Sequence, residues 1–242
     1  MRRSQHSTKD ARAGGSALGG VKALIFDFDG TIAAVPHDFD AMRRDVVRAA
    51  ARCGVEGRRF KRLRIIEAIE YVAAILGPGG EGFRAQAAAS TRRREIEAAR
   101  KGRLIPGAMA ALKRLRTAGF SIAVITRNCE EAVAITMRGR ELPCDILLTR
   151  DHVKRVKPHP QHLRRALSRL NARPGQSIMV GDHPIDIEAG KALKMRTVGV
   201  LTGSAGRKQL EQAGADLIVP NVGALARMLL MGFCPQGRMR AR

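Results

Sequence analysis

The sequence predicts an α/β protein in which helices cover both faces of a parallel sheet and an all-helical segment follows the first strand. Three observations support this fold class. Apolar, β-branched runs recur along the chain, helical patterns alternate with them, and the interval from about residue 36 to 103 has helical patterns but no strand pattern. Alternating strands and helices are typical of parallel sheets that are buried on both faces.

Each predicted strand is a short apolar run that ends at polar or turn-forming residues. The first is VKALIFDFDGTI, at residues 21–32. The later ones are FSIAVITRN, CDILLTRD, SIMVGDH, RTVGVLTG and DLIVPN. Between them, GAMAALKRLRTAG and PQHLRRALSRLNA have helical patterns, and Gly119 is placed to end the first of these as a C′ residue.

The inserted segment contains three helical patterns separated by Gly or Pro-Gly breaks: DFDAMRRDVVRAAARCG, RRFKRLRIIEAIEYVAAILG and GFRAQAAASTRRREIEAARKG. In the second, apolar residues recur at helical spacing with charges between them, which we interpret as helix-packing core. They are Ile65, Ile66, Ile69, Val72, Ala73 and Leu76. We predict a core of residues 21–35 and 104–230, a helical cap of residues 36–103, a basic and disordered leader at 1–20, and a basic tail at 231–242.

Composition narrows the class of protein. No apolar run approaches the roughly 18 to 20 residues that cross a bilayer, and the first residues lack the apolar stretch of a secretory signal. The four cysteines are far apart and include no CxxC pair, which favours reduced thiols over a zinc site or disulfide framework. They are Cys53, Cys129, Cys144 and Cys234. We therefore predict a cytoplasmic protein with no membrane association.

The formal net charge of +22 is the most unusual bulk property of the 242 residues. A strong positive balance is compatible with nucleic acid, acidic lipid or anionic substrates as partners. The basic residues are spread along the chain, however, and aromatic side chains that could stack on bases make up only 3% of it. This distribution favours solvated arginine-rich faces, with a nucleic-acid site as the alternative.

Two carboxylates stand at the end of the first predicted strand. Asp27 and Asp29 are two residues apart, so in regular strand geometry their side chains point to the same side. Such crowding is costly unless a cation or proton offsets it, and Mg²⁺ is a hard ion that one or two carboxylates can hold. Gly30 then permits close backbone approach, and Thr31 offers a hydroxyl to fix the turn.

Further candidate residues follow later strands. Asp182 and Asp186 come after the SIMV strand, where Gly181 lets the chain turn, and Asp186 is also a candidate helix N-cap or first-turn acid. Thr126 ends the strand AVIT, and Lys157 lies in VKPHP. The carboxyl ends of parallel strands share one edge of a sheet. A hydroxyl and an ammonium group at that edge would hold phosphoryl oxygens.

Taken in order, these segments resemble the haloacid dehalogenase superfamily. DFDGT at residues 27–31 matches its DxDGT first motif, Thr126 the second, Lys157-Pro158 the third, and GDHPID at residues 181–186 the GDxxxD form of the fourth. The resemblance extends from about Val21 to Leu230 and implies a Rossmann-like parallel sheet. The helical insert is similar to the α-helical cap of the phosphoglycolate-phosphatase-like branch.

The resemblance implies roles for the two carboxylates of the first motif. Asp27 would attack phosphorus and become an aspartyl phosphate, while Asp29 would protonate the leaving oxygen and then deprotonate the hydrolytic water. The side chains of Asp27 and Asp182, with the main-chain carbonyl of Asp29, would bind Mg²⁺. Because dehalogenases of this superfamily lack the second carboxylate, Asp29 favours phosphoryl chemistry.

The other motifs would bind the phosphoryl group. Thr126 and the backbone of Arg127 would contact its oxygens, Lys157 would offset its charge, and Asp186 would orient Lys157 or a water ligand of the metal. Gly30, Thr31 and Gly181 would support these positions. Arg127 and Asn128 stand where the family often has small residues, which predicts that substrate access differs there.

These features together predict a Mg²⁺-dependent phosphatase acting on a small phosphorylated metabolite, such as a phosphoglycolate-like or sugar phosphate. A phosphomutase, pyrophosphatase or nucleotidase of the same superfamily is the alternative. A basic, non-catalytic protein associated with nucleic acid is a less favoured one. We expect a monomer or a homodimer.

Overall fold

The computed structural model describes residues 20–232. The predicted leader at residues 1–20 and the predicted tail at residues 231–242 lie outside the described residues. Only residues 20, 231 and 232 of these two segments are described. Within the described part, internal contacts divide the chain into two compact units. The core unit comprises the described residues up to Ala34, Arg103–Arg127 and those from Arg140 onward. The helical unit comprises Val35–Gly102 and Asn128–Gly139.

The core unit contains a six-stranded parallel sheet, which confirms the predicted α/β class. Its strands are β1 (Ala23–Asp27), β4 (Ser121–Ile125), β5 (Ile146–Leu148), β6 (Ser177–Gly181), β7 (Arg196–Val200) and β8 (Leu217–Val219). Their order across the sheet is β5-β4-β1-β6-β7-β8. All six correspond to the apolar runs singled out in the sequence. A two-residue antiparallel pair, β2 (Ala33–Ala34) with β3 (Arg103–Leu104), was not predicted.

Strand β1 lies between β4 and β6. Its register places Asp27 opposite Ile125 of β4 and Phe26 opposite Val180 of β6. Every residue of β1 is buried, so the alternating side chains on both of its faces are covered. That burial is the physical reason why the strand appears in the sequence as a continuous apolar run and not as an alternating one.

Among the described residues, the core unit carries five α-helices, of which the sequence predicted the first two as helical patterns. They are α4 (Ala108–Thr117), α6 (Gln161–Arg169), α7 (Pro184–Ala192), α8 (Arg207–Gln212) and α9 (Val222–Gly232). Leu163 and Leu167 of α6 pack with Ile25 and Met179 of the sheet. Gly119 follows α4 with a φ of +93°, which confirms its predicted place just after that helix.

The helical unit contains α1 (Phe39–Arg52), α2 (Ile65–Leu76), α3 (Gly80–Lys101) and α5 (Glu130–Met137). Asp38 begins α1 as its N-cap, accepting a hydrogen bond from Ala41 N at 2.8 Å. Ile69, Val72 and Ala73 of the predicted stripe belong to the apolar core of this unit, and Ile65 and Leu76 pack against it.

Helix α5 was not predicted and extends the helical unit beyond the inserted segment. Ala132 and Ile135 of α5 pack with Ala99 of α3. Residues 128–139 therefore group with the helical unit, whereas the predicted boundaries place them in the α/β core. Across residues 20–232, none of the helices combines the length and the apolar character that crossing a bilayer requires.

Candidate active site

The predicted residues of the core unit meet at the carboxyl ends of its central strands. Asp27 is the last residue of β1, Thr126 directly follows β4, and Asp182 directly follows β6. The chain leaves β1 for β4 on one side and reaches β6 on the other, so this is the point at which strand order switches. Open parallel sheets bind ligands at such a point.

Lys157 joins two of the predicted carboxylates. Its Nζ donates hydrogen bonds to Asp27 Oδ1 at 2.5 Å and to Asp186 Oδ1 at 2.6 Å, and the residue is only 2% exposed. Burial opposes the charged form of this ammonium group, but the two carboxylates outweigh it and raise the pKa of Lys157. Lys157 is therefore a fixed cation at neutral pH.

The buried carboxylates carry more negative charge than Lys157 offsets. Burial raises the pKa of Asp27 well above its usual value, against the attraction of Lys157, and the nearby Asp186, Asp182 and Asp29 raise it further. Burial and the neighbouring Asp186 also raise the pKa of Asp182. Such shifts arise where acidic groups share a site of low polarity, and a bound cation reverses them.

Asp29 and Thr126 are joined directly. The Thr126 hydroxyl donates a hydrogen bond to Asp29 Oδ2 at 2.7 Å, and Thr126 is fully buried. Because these residues follow β1 and β4, neighbouring strands of the sheet, the register of the sheet brings them together. The bond fixes the direction of the second carboxylate of the DFDGT segment.

The Asp182 carboxylate lies in a pocket that admits no extra side-chain atoms. Thr31 donates to its Oδ1 at 3.4 Å, and the main-chain N–H of Ser204 donates to its Oδ2 at 2.9 Å. A Cβ atom at Gly30 or Gly203 would overlap this carboxylate. Gly30 also has a φ of +86°, in the left-handed region that favours glycine.

Of the two helix positions that the sequence left open, Asp186 is the first-turn acid of α7, and His183 is the N-cap. Asp186 Oδ2 accepts a hydrogen bond from His183 N at 3.2 Å while its Oδ1 accepts from Lys157. A Cβ atom at Gly181 would overlap the Asp186 side chain. Glycine at that position is therefore what allows α7 to bring the carboxylate back against the sheet.

Arg127 follows Thr126 and lies beside the Lys157 segment. Its guanidinium donates to the Lys157 carbonyl oxygen, and its own carbonyl oxygen accepts from Arg150 Nη1 at 3.4 Å. The loops after β4 and β5 are thus tied together next to the buried lysine. The predicted phosphate-binding residues Thr126, Arg127 and Lys157 all belong to this part of the core unit.

The acidic cluster fits a hard divalent cation. Asp27, Asp182 and Asp186 each offer a carboxylate oxygen, these three atoms lie within 4.8 Å of one another, and all three residues are buried. Oxygen-only donors are what Mg²⁺ prefers in proteins. Asp27, Asp29 and Asp182 were predicted to bind the metal; the carboxylate of Asp186 joins the group of candidate ligands.

The sequence of the chain also matches a known protein family. A family model described as haloacid dehalogenase-like hydrolase matches residues 21–194, which is more than half of the chain and includes every site residue that the sequence predicted. The chain belongs to the haloacid dehalogenase-like hydrolases.

Among curated proteins, this haloacid dehalogenase-like hydrolase resembles pyrophosphatase PpaX of Bacillus mycoides (strain KBAB4). The two are 32% identical over 120 residues, which is 49% of this chain and 56% of that protein. The chain thus spans about half the length of the curated relatives it matches.

Solved structures of low sequence identity share the fold. A putative haloacid dehalogenase-like hydrolase from Bacteroides fragilis superimposes with a TM-score of 0.64 at 22% identity, covering 85% of this chain and 99% of that one. A predicted phosphoglycolate phosphatase from Haemophilus somnus gives 0.58 at 17% identity, covering 87% and 99%. At these identities the likeness concerns the fold alone.

The loop after β7 of this haloacid dehalogenase-like hydrolase contributes to the site, although none of its residues was predicted to. Thr202 donates to the Gly30 carbonyl oxygen at 2.6 Å, Gly203 leaves room for the Asp182 carboxylate, and Ser204 donates to it. The signal was present, because the run RTVGV ends in Leu-Thr-Gly-Ser at the same edge of the sheet. Small and hydroxyl residues after a strand at this edge predict a loop that packs against the site, as they do after β1.

Proposed function

We propose that the chain is a Mg²⁺-dependent phosphatase that hydrolyses a small phosphate monoester through an aspartyl phosphate on Asp27. The observation that carries this proposal is the buried Lys157 ammonium, held between Asp27 and Asp186 at the carboxyl end of β1. It places a fixed positive charge beside the carboxylate oxygen that would attack, where phosphoryl oxygens would also bind.

In the first half of the reaction, a carboxylate oxygen of Asp27 attacks phosphorus in line with the leaving oxygen. The Asp27 O–P bond forms as the bond from phosphorus to the leaving oxygen breaks, and Asp29 donates a proton to that oxygen. The hydrogen bond from Thr126 keeps Asp29 oriented for this transfer.

In the second half, Asp29 accepts a proton from a water molecule as the water oxygen bonds to phosphorus. The Asp27 O–P bond breaks, inorganic phosphate is released, and Asp27 is regenerated. Lys157 and the backbone of Arg127 stabilise the phosphoryl oxygens in both halves. Asp186 keeps Lys157 in position through its own hydrogen bond.

Carboxylate oxygens of Asp27 and Asp182, with the main-chain carbonyl of Asp29, would hold Mg²⁺, and Asp186 is a further candidate ligand. When bound, the ion would supply positive charge that offsets the repulsion between the Asp27 carboxylate and an anionic phosphate. The support for this metal is the oxygen-only, buried donor set and the raised pKa values of Asp27 and Asp182.

Asp27→Asn tests the proposal. With Mg²⁺ and a panel of phosphoesters that includes p-nitrophenyl phosphate, we expect the wild-type chain to release inorganic phosphate and chelation by EDTA to stop it. The variant should lose more than about a thousandfold in kcat, because the nucleophile is removed. Circular dichroism should show that its fold is retained.

A matched control is Glu211→Gln, which neutralises an exposed carboxylate on α8 outside the site and should keep wild-type kcat. Full activity in Asp27→Asn would mean that another group is the nucleophile. A wild-type chain that leaves the whole panel untouched with Mg²⁺ present would contradict the phosphatase proposal.

A pyrophosphatase is the second candidate, favoured by the partial likeness to PpaX. Including inorganic pyrophosphate in the panel separates the two, since the preferred substrate shows the higher kcat/KM. A phosphomutase would pass the phosphoryl group to a sugar hydroxyl instead of water. Mass spectrometry of products formed in ¹⁸O-labelled water distinguishes it, because only hydrolysis places the label in inorganic phosphate.

A further inference from the structure

A groove of about 570 Å³ lies on the helical unit, between α1 and α3. Small side chains form its floor: Ala49 of α1 is 9% exposed and Ala87 of α3 is 1% exposed. Longer side chains of both helices line the same space. The groove lies wholly within the helical unit and does not depend on the proposed phosphatase site.

Arginines dominate the sides of the groove. Arg48 and Arg52 stand four residues apart on one face of α1, and Arg93 faces them from α3. All three are exposed. Within residues 20–232, none of these three side chains forms a hydrogen bond or an ion pair with another side chain, and of the three only Arg48 acts on the nearby Asp45 through its charge. Like charges at this spacing repel one another, so an anion between them would relieve the repulsion.

A fourth arginine of the groove, Arg94, forms an ion pair with Asp45. Arg94 Nε donates to Asp45 Oδ2 at 2.8 Å, and Ser90 Oγ donates to the same oxygen at 3.3 Å. The hydrogen bond from Arg94 lowers the pKa of Asp45, so the pair stays ionised and joins α1 to α3. Four arginines and two acidic residues, Asp45 and Glu97, line the groove, which leaves a net charge of +2.

We propose that this groove binds a small anion that carries two or more phosphate groups and no nucleobase. Its volume is within the roughly 300–1,000 Å³ of small-ligand sites. Guanidinium groups bind phosphate oxygens through paired N–H donors, and three of them can surround a diphosphate. Among the described residues, no aromatic side chain lines the groove, so these residues offer no surface on which a base could stack.

Isothermal titration calorimetry with methylenediphosphonate tests the proposal, because its carbon bridge is not hydrolysed. The groove variant is Arg48→Gln/Arg52→Gln/Arg93→Gln. The control variant, Arg59→Gln/Arg62→Gln/Arg100→Gln, removes the same charge from exposed positions of the helical unit outside the groove. We expect the groove variant to weaken Kd at least about tenfold and the control variant less than about twofold.

The control variant excludes general attraction to a basic chain: equal weakening in both variants would overturn the proposal. Unchanged binding in the groove variant would also overturn it, since the probe would then sit elsewhere, including at the acidic and lysine cluster of the core unit. If a single-stranded RNA oligonucleotide binds in its place and needs the same arginines, the groove is a nucleic-acid surface and the small-anion proposal fails.

Folding of the variants is checked by thermal melting followed by circular dichroism. Should the triple variant not fold, Arg52→Gln and Arg93→Gln are tested singly, and each should weaken Kd more than Arg62→Gln. Equal affinity in all three single variants would contradict the groove site.

Discussion

At the scale of single residues, the buried charged and polar groups of the core unit are each held by particular partners. Lys157 contacts two carboxylates, and Asp182 accepts from a hydroxyl and a main-chain N–H. Removing one member of such a group leaves its partner buried without compensation, which costs about 3–5 kcal/mol for an ion pair. These positions therefore matter to stability as well as to the proposed chemistry.

His162 shows how a buried group couples stability to pH. It lies on α6, is fully buried, and its Nε2 lies 3.1 Å from the Leu148 carbonyl oxygen, to which the neutral ring donates. Its Nδ1 has no hydrogen-bond partner in the described part of the chain. Burial, together with the charge of Lys157, lowers the pKa of His162 to about 3, since a proton on Nδ1 would be buried and unpaired.

We predict that His162 destabilises the fold as pH falls. Between its folded pKa of about 3 and an unfolded value of about 6.5, the unfolded chain binds a proton that the folded chain does not, so stability decreases with falling pH. From pH 7.5 to 5 this residue should cost roughly 2 kcal/mol.

Urea unfolding of the wild-type chain and of His162→Gln at both pH values measures that cost. Glutamine keeps a donor for the Leu148 carbonyl oxygen but does not titrate, so the drop should be smaller in the variant by about the predicted amount. An equal drop in both chains would show that His162 is not responsible.

At the scale of elements, the approach of α2 to α3 depends on a glycine. Gly80, the first residue of α3, is buried, and a Cβ atom there would overlap the carbonyl oxygen of Ala73 in α2. At Gly82, two residues further along, a Cβ atom would meet no atom within 4 Å apart from its chain neighbours and the backbone of its own helix. In the first turn of α3, packing therefore requires glycine at position 80 but not at position 82.

Opposite effects are expected from Gly80→Ala and Gly82→Ala. The first should destabilise the chain by about 1–3 kcal/mol, because main-chain atoms must move apart. The second should stabilise it by roughly 0.5–1 kcal/mol, because alanine is the better helix former. Urea unfolding midpoints of the two variants measure both values, and a loss at Gly82 equal to that at Gly80 would contradict the packing argument.

At the scale of the whole molecule, the net charge of +22 comes from basic residues that are spread along the whole sequence and occur in both described units. Ion pairs do not reduce this excess, because the acidic residues are already counted in the net charge, and exposed pairs such as Arg84 with Glu70 or Arg92 with Glu131 contribute little to stability. Mutual repulsion of like charges therefore disfavours the compact state.

We predict that salt stabilises the chain. Raising potassium chloride from about 0.01 M to about 0.15 M shortens the Debye length from about 30 Å to about 8 Å, which screens the repulsion more than it weakens the buried Lys157 pairs. The free energy of unfolding in urea should rise across this range. A fall would show that attractive surface pairs outweigh the repulsion, and an equal osmolarity of sucrose controls for excluded-solvent effects.

The amino-acid sequence by itself determined the six strands, the α/β class and the order of the candidate residues. Strands buried on both faces need continuous apolar runs, and the carboxyl ends of parallel strands share one edge, so Asp27, Thr126, Lys157 and Asp182 were predicted together. Helix α5 and the pair β2–β3 were missed because they are short and depend on packing partners far away in the chain.

Only the tertiary structure decided which side chain contacts which. Spacing along the chain says nothing of the bond from Thr126 to Asp29, or of Lys157 lying between Asp27 and Asp186, because those contacts join separate loops. Gly203 and Ser204 reach the Asp182 carboxylate only because β7 lies next to β6. The sequence thus determined where polar groups collect, and the packing of the loops around the sheet decided how their charges are paired.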